Sequence, residues 1–186
     1  MKYISIGAVS SGSTEYILKI AHGGYTFQLD GVLARLWLNG RSQFCTVADP
    51  IDIKGLTQLL KMGLAIQAEE CDAGEYRALT HCTIVPAESK FPYLFLSGTE
   101  KRVLTWLREA GLVLSMAELT YLVEKNVDSE DKFLGSSNAQ ALVERIYNKE
   151  TIYDNILENQ MEHAQLRETV VTAIKKLLSK NRIVLL

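Results

Sequence analysis

Cys71, His81 and Cys82 are the residues of this chain whose types could hold a metal ion, and their spacing argues against it. Zinc sites draw on pairs such as Cys-x-x-Cys or His-x-x-x-His, which bring two ligands to one ion from a single turn or helix face. Cys71 has no such neighbour, and His81 and Cys82, adjacent on an expected strand, point to opposite faces. The three cysteines Cys45, Cys71 and Cys82 form no even disulfide framework, which fits a reducing cytoplasm. No Gly-x-Ser-x-Gly, phosphate loop or dinucleotide fingerprint occurs, and the glycine-bearing stretch Gly7 to Gly12 lacks the lysine a phosphate loop requires. Glu69-Glu70 and Glu130-Asp131 pair carboxylates in expected loops without a nearby histidine. His22 flanks a glycine turn and His163 a polar helix face, so both read as surface residues. No catalytic residue, metal or cofactor is expected, and the chain is not read as an enzyme.

A chain without a reaction centre must act through a surface, and the elements that would carry one follow from periodicity. Tyr3 to Val9 suits a strand and Ser10 to Ser13 a turn. Tyr16 to Ala21 and Tyr25 to Leu29 suit two further strands joined by His22-Gly23-Gly24, whose glycines supply the positive φ of a tight hairpin. Asp30 can cap a helix that buries Leu33, Leu36 and Trp37 and ends at Asn39-Gly40. Pro50 limits any helix between Phe44 and Asp49 to one short turn. From Asp52, apolar Ile53, Leu56, Leu59 and Leu60 recur at helical spacing, and Gly63 is placed to stop the helix in the left-handed conformation. Leu64 to Ala68 then reads as a strand, Glu70 to Gly74 as a turn, and Tyr76 to Val85 as a second strand of a hairpin.

Pro86 and Pro92 bracket the best candidate linker, which divides the chain into units 1–88 and 93–186. The second unit is mainly helical. One helix covers Thr99 to Ala110 and stops at Gly111. Ser115 with Glu118 matches a capping box for a second helix reaching about Lys125. Asn126 to Ser137 reads as a loop, and a further helix starts near Ser137 or Asn138 and uses Leu142, Val143 and Ile146. Thr151 to Lys180 is one long helix or two, Asn181 closes it, and Arg182 to Leu186 is a terminal strand. The whole is α+β. No repeat of fixed period is visible, although Leu59 to Ile66 and Leu177 to Val184 share the order helix, stop, strand.

Length and charge bound the function. The 186 residues suffice for one large domain or two small ones, and 47% hydrophobic with 23% charged residues is ordinary for a globular protein. No apolar run approaches the ~20 residues that span a bilayer, and the apolar start of the chain is interrupted at Ser5 and Gly7, unlike a signal peptide. The net charge is −2, with −2 on residues 1–88 and none on 89–186, unlike a general polyanion binder. Arg167, Lys175, Lys176, Lys180 and Arg182 gather near the C-terminus, which a helix dipole also favours.

The two endings, Leu59-Leu60-Lys61-Met62-Gly63-Leu64-Ala65-Ile66 and Leu177-Leu178-Ser179-Lys180-Asn181-Arg182-Ile183-Val184, resemble the end of a recognition helix and the first wing strand of winged-helix proteins. That resemblance implies tandem winged helices and a DNA-reading surface on each recognition helix and wing. Carried over, the first unit offers Lys54, Thr57, Gln58 and Lys61 on the helix and Arg77 on the wing. The second offers Arg167, Thr172, Lys175, Lys176 and Lys180. Arg and Lys would neutralise phosphates and Gln58 could reach a base edge. The wing turn, Glu69 to Glu75, is acidic, which departs from that pattern.

Residues Gln28 to Gly40, after three strands, are also similar to the PqqD-like peptide-binding winged helix, in which a peptide adds a strand beside the sheet. The matching positions are Tyr25 to Leu29 and Asp52 to Met62. The expectation is therefore a cytoplasmic tandem winged-helix protein, dimeric through its C-terminal helices, that binds DNA and regulates transcription. The alternative is a protein- or peptide-binding adaptor on the same scaffold.

Overall fold

The first strand breaks at a glycine. Tyr3 to Val9 forms two strands, β1 (Lys2–Ser5) and β2 (Ala8–Val9), because Gly7 takes φ +103° and sends them into different sheets. A Cβ at Gly7 would lie 2.7 Å from Ile20 Cγ2, so neither the backbone angle nor the space admits a side chain. A computed structural model describes residues 1–14, 17–87, 95–109, 111, 113–127, 143–144, 146–147 and 154–186. The expected linker beyond residue 87, the expected loop beyond residue 127 and the start of the helix after Ser137 lie outside them.

The hairpin forms as the sequence implies: β3 (Leu18–His22) and β4 (Tyr25–Leu29) pair around Gly23 and Gly24, both at positive φ. Helix α1 (Gly31–Gly40) follows, with Asp30 at the cap position but making no side-chain cap bond. Trp37 is fully buried and donates Nε1–H to the carbonyl of Ile6 at 2.9 Å. Between Phe44 and Pro50 the chain makes a two-residue strand, β5 (Cys45–Thr46), in place of a helical turn. Helix α2 (Pro50–Lys61) begins two residues earlier than expected, since Asp49 accepts from the N–H groups of Ile51 and Asp52 and Pro50 needs no N–H at the first turn. Gly63 stops it at φ +68°, and β6 (Ala65–Ala68) follows.

The expected wing is absent. Gly74 to Thr80 is a helix, α3, and β6 pairs with β1. Glu75, Arg77, Ala78 and Leu79 are good helix formers, and Tyr76 and Leu79 stand one turn apart so that both are buried. The strand signal belongs to Thr83-Ile84-Val85, where β7 (Ile84–Pro86) forms and pairs antiparallel with the last strand, β8 (Ile183–Leu185). Helices α4 (Gly98–Glu109) and α5 (Met116–Glu124) follow, α5 opened by the expected capping box of Ser115 and Glu118. The stretch toward Lys180 resolves into two helices, α6 (Asp154–Glu162) and α7 (Arg167–Ser179).

The sheets reveal a repeat that sequence periodicity hides. One sheet has the order β5-β1-β6; β7 is flanked by β8 and by a bridge from Ile84 to Leu114. Tyr3 thus faces Cys45 and Gln67, as Ile84 faces Leu114 and Leu185. In each case a central strand is followed by a helix, a bridging segment (β5 in the first, the single residue Leu114 in the second), a later helix and a closing strand. Both closing helices end alike: Leu64 N–H donates to Leu59 O (2.9 Å) and Arg182 N–H to Leu177 O (2.8 Å), across Gly63 and Asn181 at positive φ. The two tryptophans, Trp37 and Trp106, are both buried at matching positions in α1 and α4. The first repeat carries the hairpin sheet β2-β3-β4 as an insertion, and the second carries α5 and α6.

Buried apolar side chains form two clusters. One gathers Tyr3, Ile20, Leu36, Trp37, Leu56 and Leu59 among others. The other runs from Ala73 to Leu185 and includes Ile4 and Ile6, which join β1 to it. Helix α3 and strand β7, on the N-terminal side of the expected boundary at 88, pack in this second cluster. Among the described residues, no helix is long and apolar enough to cross a membrane.

Candidate binding surfaces

The ten residues expected to meet DNA fall into two groups with different surroundings. Lys54, Thr57, Gln58 and Lys61 share one exposed face of α2, at intervals of three and four residues, and line a shallow hollow of about 330 Å³. The Thr57 hydroxyl donates to Ile53 O at 2.8 Å. Among the described residues no carboxylate is bonded to Lys54 or Lys61.

Four of the remaining candidates are held by acids. Arg77 lies on α3 rather than on a wing, and its guanidinium binds Glu69 at 2.8 Å and Glu162 at 2.6 Å. Hydrogen bonding from Arg77 holds the Glu162 carboxyl below its ordinary value and raises Arg77 in turn. Arg167 binds Asp72 at 2.9 Å, Glu168 at 2.8 Å and the carbonyl of Glu162 at 2.7 Å. Lys175 binds Glu75 at 2.7 Å, and Glu75 also binds Lys2 at 2.6 Å. Burial alone would raise the Glu75 carboxyl, but its bonds to Lys175 and Lys2 outweigh this and hold it low. Both ammonium groups also sit over the Phe44 ring, at 5.7 and 6.0 Å from its centroid. Lys180 binds the buried Glu100 at 2.6 Å and Phe95 O at 3.0 Å.

The acidic stretch Glu69 to Glu75 is therefore the partner of the basic residues and not a wing. Glu69, Asp72 and Glu75 take Arg77, Arg167 and Lys175 respectively; the last two pairs tie the start of α3 and the turn before it to α7. Thr172 and Lys176, the last two candidates, line a second hollow of about 430 Å³ with Ser97, Thr99 and Glu100 at the start of α4. The apolar face of α7 from which a dimer was expected, including Val170, Ile174 and Leu177, is buried within the chain.

No family model, curated protein or solved structure matches this chain. The surfaces must be read from their own chemistry. Cys71 is exposed, with its thiol 3.4 Å from Glu69 Oε2, while Cys82 is buried and burial pushes its thiol up to about 12. His81 ends α3, so the three are not gathered, and among the described residues no three His, Cys, Asp or Glu side chains form a metal-binding group.

Strand β4 offers a different surface. Among the described residues it pairs with β3 alone, and Tyr25-Thr26-Phe27-Gln28-Leu29 carries no charge and no proline. Tyr25 is 73% exposed and packs edge-on against Phe27, with ring centroids 6.5 Å apart. With Gly23-Gly24 as a two-residue turn, His22 and Tyr25 form the closing hydrogen-bonded pair. The N–H groups of Thr26 and Gln28 then face outward, away from β3.

Proposed function

We propose that this chain is a protein- or peptide-binding adaptor of doubled winged-helix-like architecture, which takes up an extended segment as a new strand along β4. The architectural reading is supported by a central strand being flanked twice by a bridging segment and a closing strand that follows a helix, with the bridge reduced to Leu114 in the second occurrence. The binding reading rests on the open edge of β4. Exposed strand edges invite pairing, and natural proteins commonly guard them with charge, proline, shortness or cover. Here β2 and β5 are two residues long and α3 packs along β6, but β4 has none of these guards. The N-terminal resemblance to PqqD-like peptide binders points to the same strand.

The test is selection of binders from a displayed random-peptide library, compared with Thr26→Pro. Proline at a position whose N–H faces solvent leaves the hairpin bonds intact and removes one outward donor. Peptides selected by the parent protein should lose binding to Thr26→Pro while the variant keeps its circular-dichroism spectrum. Equal binding to both proteins, or no selected peptide, would refute strand addition.

A second reading, a DNA-binding transcriptional regulator, is favoured by Lys54 and Lys61, which make no ion pair among the described residues and lie beside Thr57 and Gln58. It predicts affinity for duplex DNA that falls steeply with salt and is lost in Lys54→Ala/Lys61→Ala. It centres the contact on α2, because Arg77, Arg167, Lys175 and Lys180 are already neutralised and, among the described residues, Lys176 is the second unit's one candidate base outside an ion pair.

A further inference from the structure

Exposure along β4 falls from Tyr25 to Leu29, and this gradient sets what a segment added there must carry. The strand alternates: Thr26 and Gln28 point to one face, and Tyr25, Phe27 and Leu29 to the other. On the second face Leu29 is 1% exposed, Phe27 is half-buried and Tyr25 is open to solvent. Leu29 belongs to the first apolar cluster, as does Ile20, the residue opposite Phe27, and Phe27 packs against that cluster. Tyr25, in edge-on contact with Phe27, continues the apolar layer beyond the point where the chain covers it.

The two faces of the sheet differ in the same way up to its open edge. Val9 pairs with Ile20 and Ile20 with Phe27, so an apolar row crosses all three strands and stops at β4. On the opposite face Ala21 stands beside Thr26 and Lys19 beside Gln28, and Thr26 and Gln28 are exposed. A strand joining this edge meets apolar side chains on one face and small or polar ones on the other.

Register decides which residues of the segment fall where. The outward N–H groups are those of Thr26 and Gln28, and every pairing in this sheet is antiparallel. In an antiparallel addition, two residues of the segment each exchange a pair of hydrogen bonds, the first with Gln28 and the second with Thr26. The residue between them lies opposite Phe27, and the residue after the second lies opposite Tyr25. Both take non-hydrogen-bonded positions, where facing side chains stand closest. The residue before the first falls opposite Leu29, which the chain already covers. We infer that the segment taken up along β4 is an amphipathic strand whose two apolar residues, aromatic or β-branched and separated by one polar residue, lie opposite Phe27 and Tyr25. Its polar side chains lie opposite Thr26 and Gln28, and its apolar pair completes the layer that Tyr25 leaves uncovered.

This inference rests on strand addition at β4, and its test separates the two. The probes are two fluorescein-labelled peptides of identical composition, polar except for one valine and one tyrosine. In the first peptide a threonine separates the two, so they share a face; in the second they are adjacent and point to opposite faces. The first should bind the parent protein about tenfold tighter, the scale of one or two aromatic cross-strand pairs. Tyr25→Ser, at an exposed position, should bring the two peptides close to equality, since Phe27 alone then remains as the apolar neighbour. Thr26→Pro should abolish binding of both, with circular dichroism showing that each variant keeps the parent spectrum. Equal binding of the two peptides to the parent, still abolished by Thr26→Pro, would overturn the apolar pattern and leave strand addition standing. A preference unchanged in Tyr25→Ser would overturn the assignment to this face. Absence of binding by both peptides, or binding unaffected by Thr26→Pro, would overturn strand addition and this inference together. A parent protein that sediments as a dimer, becomes monomeric in Thr26→Pro and binds neither peptide would overturn both as well, and would give the edge to a second copy of the chain.

Discussion

Replacing Glu75 by Gln tests whether the acidic stretch after β6 holds the two repeats together. Each carboxylate oxygen serves one lysine: Oε1 binds Lys2 at 2.6 Å and Oε2 binds Lys175 at 2.7 Å. Glutamine keeps the size but removes the charge, leaving two ammonium groups about one Phe44 ring. A hydrogen bond to a charged group contributes about 1.5–3 kcal/mol, while exposed ion pairs contribute about 0.2–1 kcal/mol. The side chains of Lys2 and Lys175 are 33% and 42% exposed and that of Glu75 19%, so solvent screening favours the lower range. The expected loss for the pair of contacts is about 1–2 kcal/mol, or roughly 2–8 °C in Tm for a chain of this length. The measurement is calorimetric unfolding of the parent, Glu75→Gln, Lys175→Met and the double variant, at neutral and acid pH. Because the folded-state pKa of Glu75 is depressed, its contribution is fully present above the unfolded value of about 4.3 and disappears as pH falls through the lower folded value. Parent and Glu75→Gln should therefore converge only as the pH falls below that depressed folded-state value. Strictly additive single substitutions, or a stability gap unchanged in acid, would refute the proposed coupling.

Two further pairs of substitutions probe the repeats themselves. At Gly40, a Cβ would fall 2.4 Å from Ser5 Oγ and 3.1 Å from the Ser5 backbone nitrogen, so Gly40→Ala should cost about 1–3 kcal/mol by overpacking. Gly98→Ala, where nothing lies within 4 Å, should be neutral or stabilising; a denaturant titration distinguishes them. Trp37→Phe should destabilise more than Trp106→Phe. Only Trp37 Nε1 has a hydrogen-bond acceptor among the described residues, at Ile6 O, and its removal leaves that carbonyl buried without the bond. Equal losses in thermal melts would count against that accounting.

Local chemistry was legible where a single residue decides the backbone. The Gly23-Gly24 hairpin, the Gly63 stop and the Ser115–Glu118 capping box follow from the sequence because each depends on a few neighbouring residues. Helix α3 was not legible, since a turn-rich start and the β-branched Thr83-Ile84-Val85 beyond it imitate a hairpin strand. Its helical state is secured by Tyr76 and Leu79 meeting a core built largely from the second half of the chain. The α2 face was visible from spacing, but the neutralisation of Arg77, Arg167, Lys175 and Lys180 was not. Those ion pairs join residues far apart in sequence, and composition only hinted at them by placing an acidic stretch in one half and a basic one in the other. The repeat escaped detection because it preserves burial and register while changing residue type: Tyr3 against Ile84, Gly55 against Ala173, Gly63 against Asn181.

In both repeats the central strand is early in the chain and its closing partner late, so β1 and β7 must wait for β6 and β8 across long stretches of sequence. During folding each is a strand with bare edges, and both await an antiparallel partner that follows a helix of the same shape. The fold thus carries its own competitor: β7 could accept β6, or β1 accept β8, within a chain or between two chains. Non-local pairing of this kind slows folding, and look-alike partners add a trap of the sort found in tandem-domain proteins. One feature opposes the exchange: the bond from Gly7 N–H to Leu185 O at 2.8 Å forms only when each strand has found its own repeat.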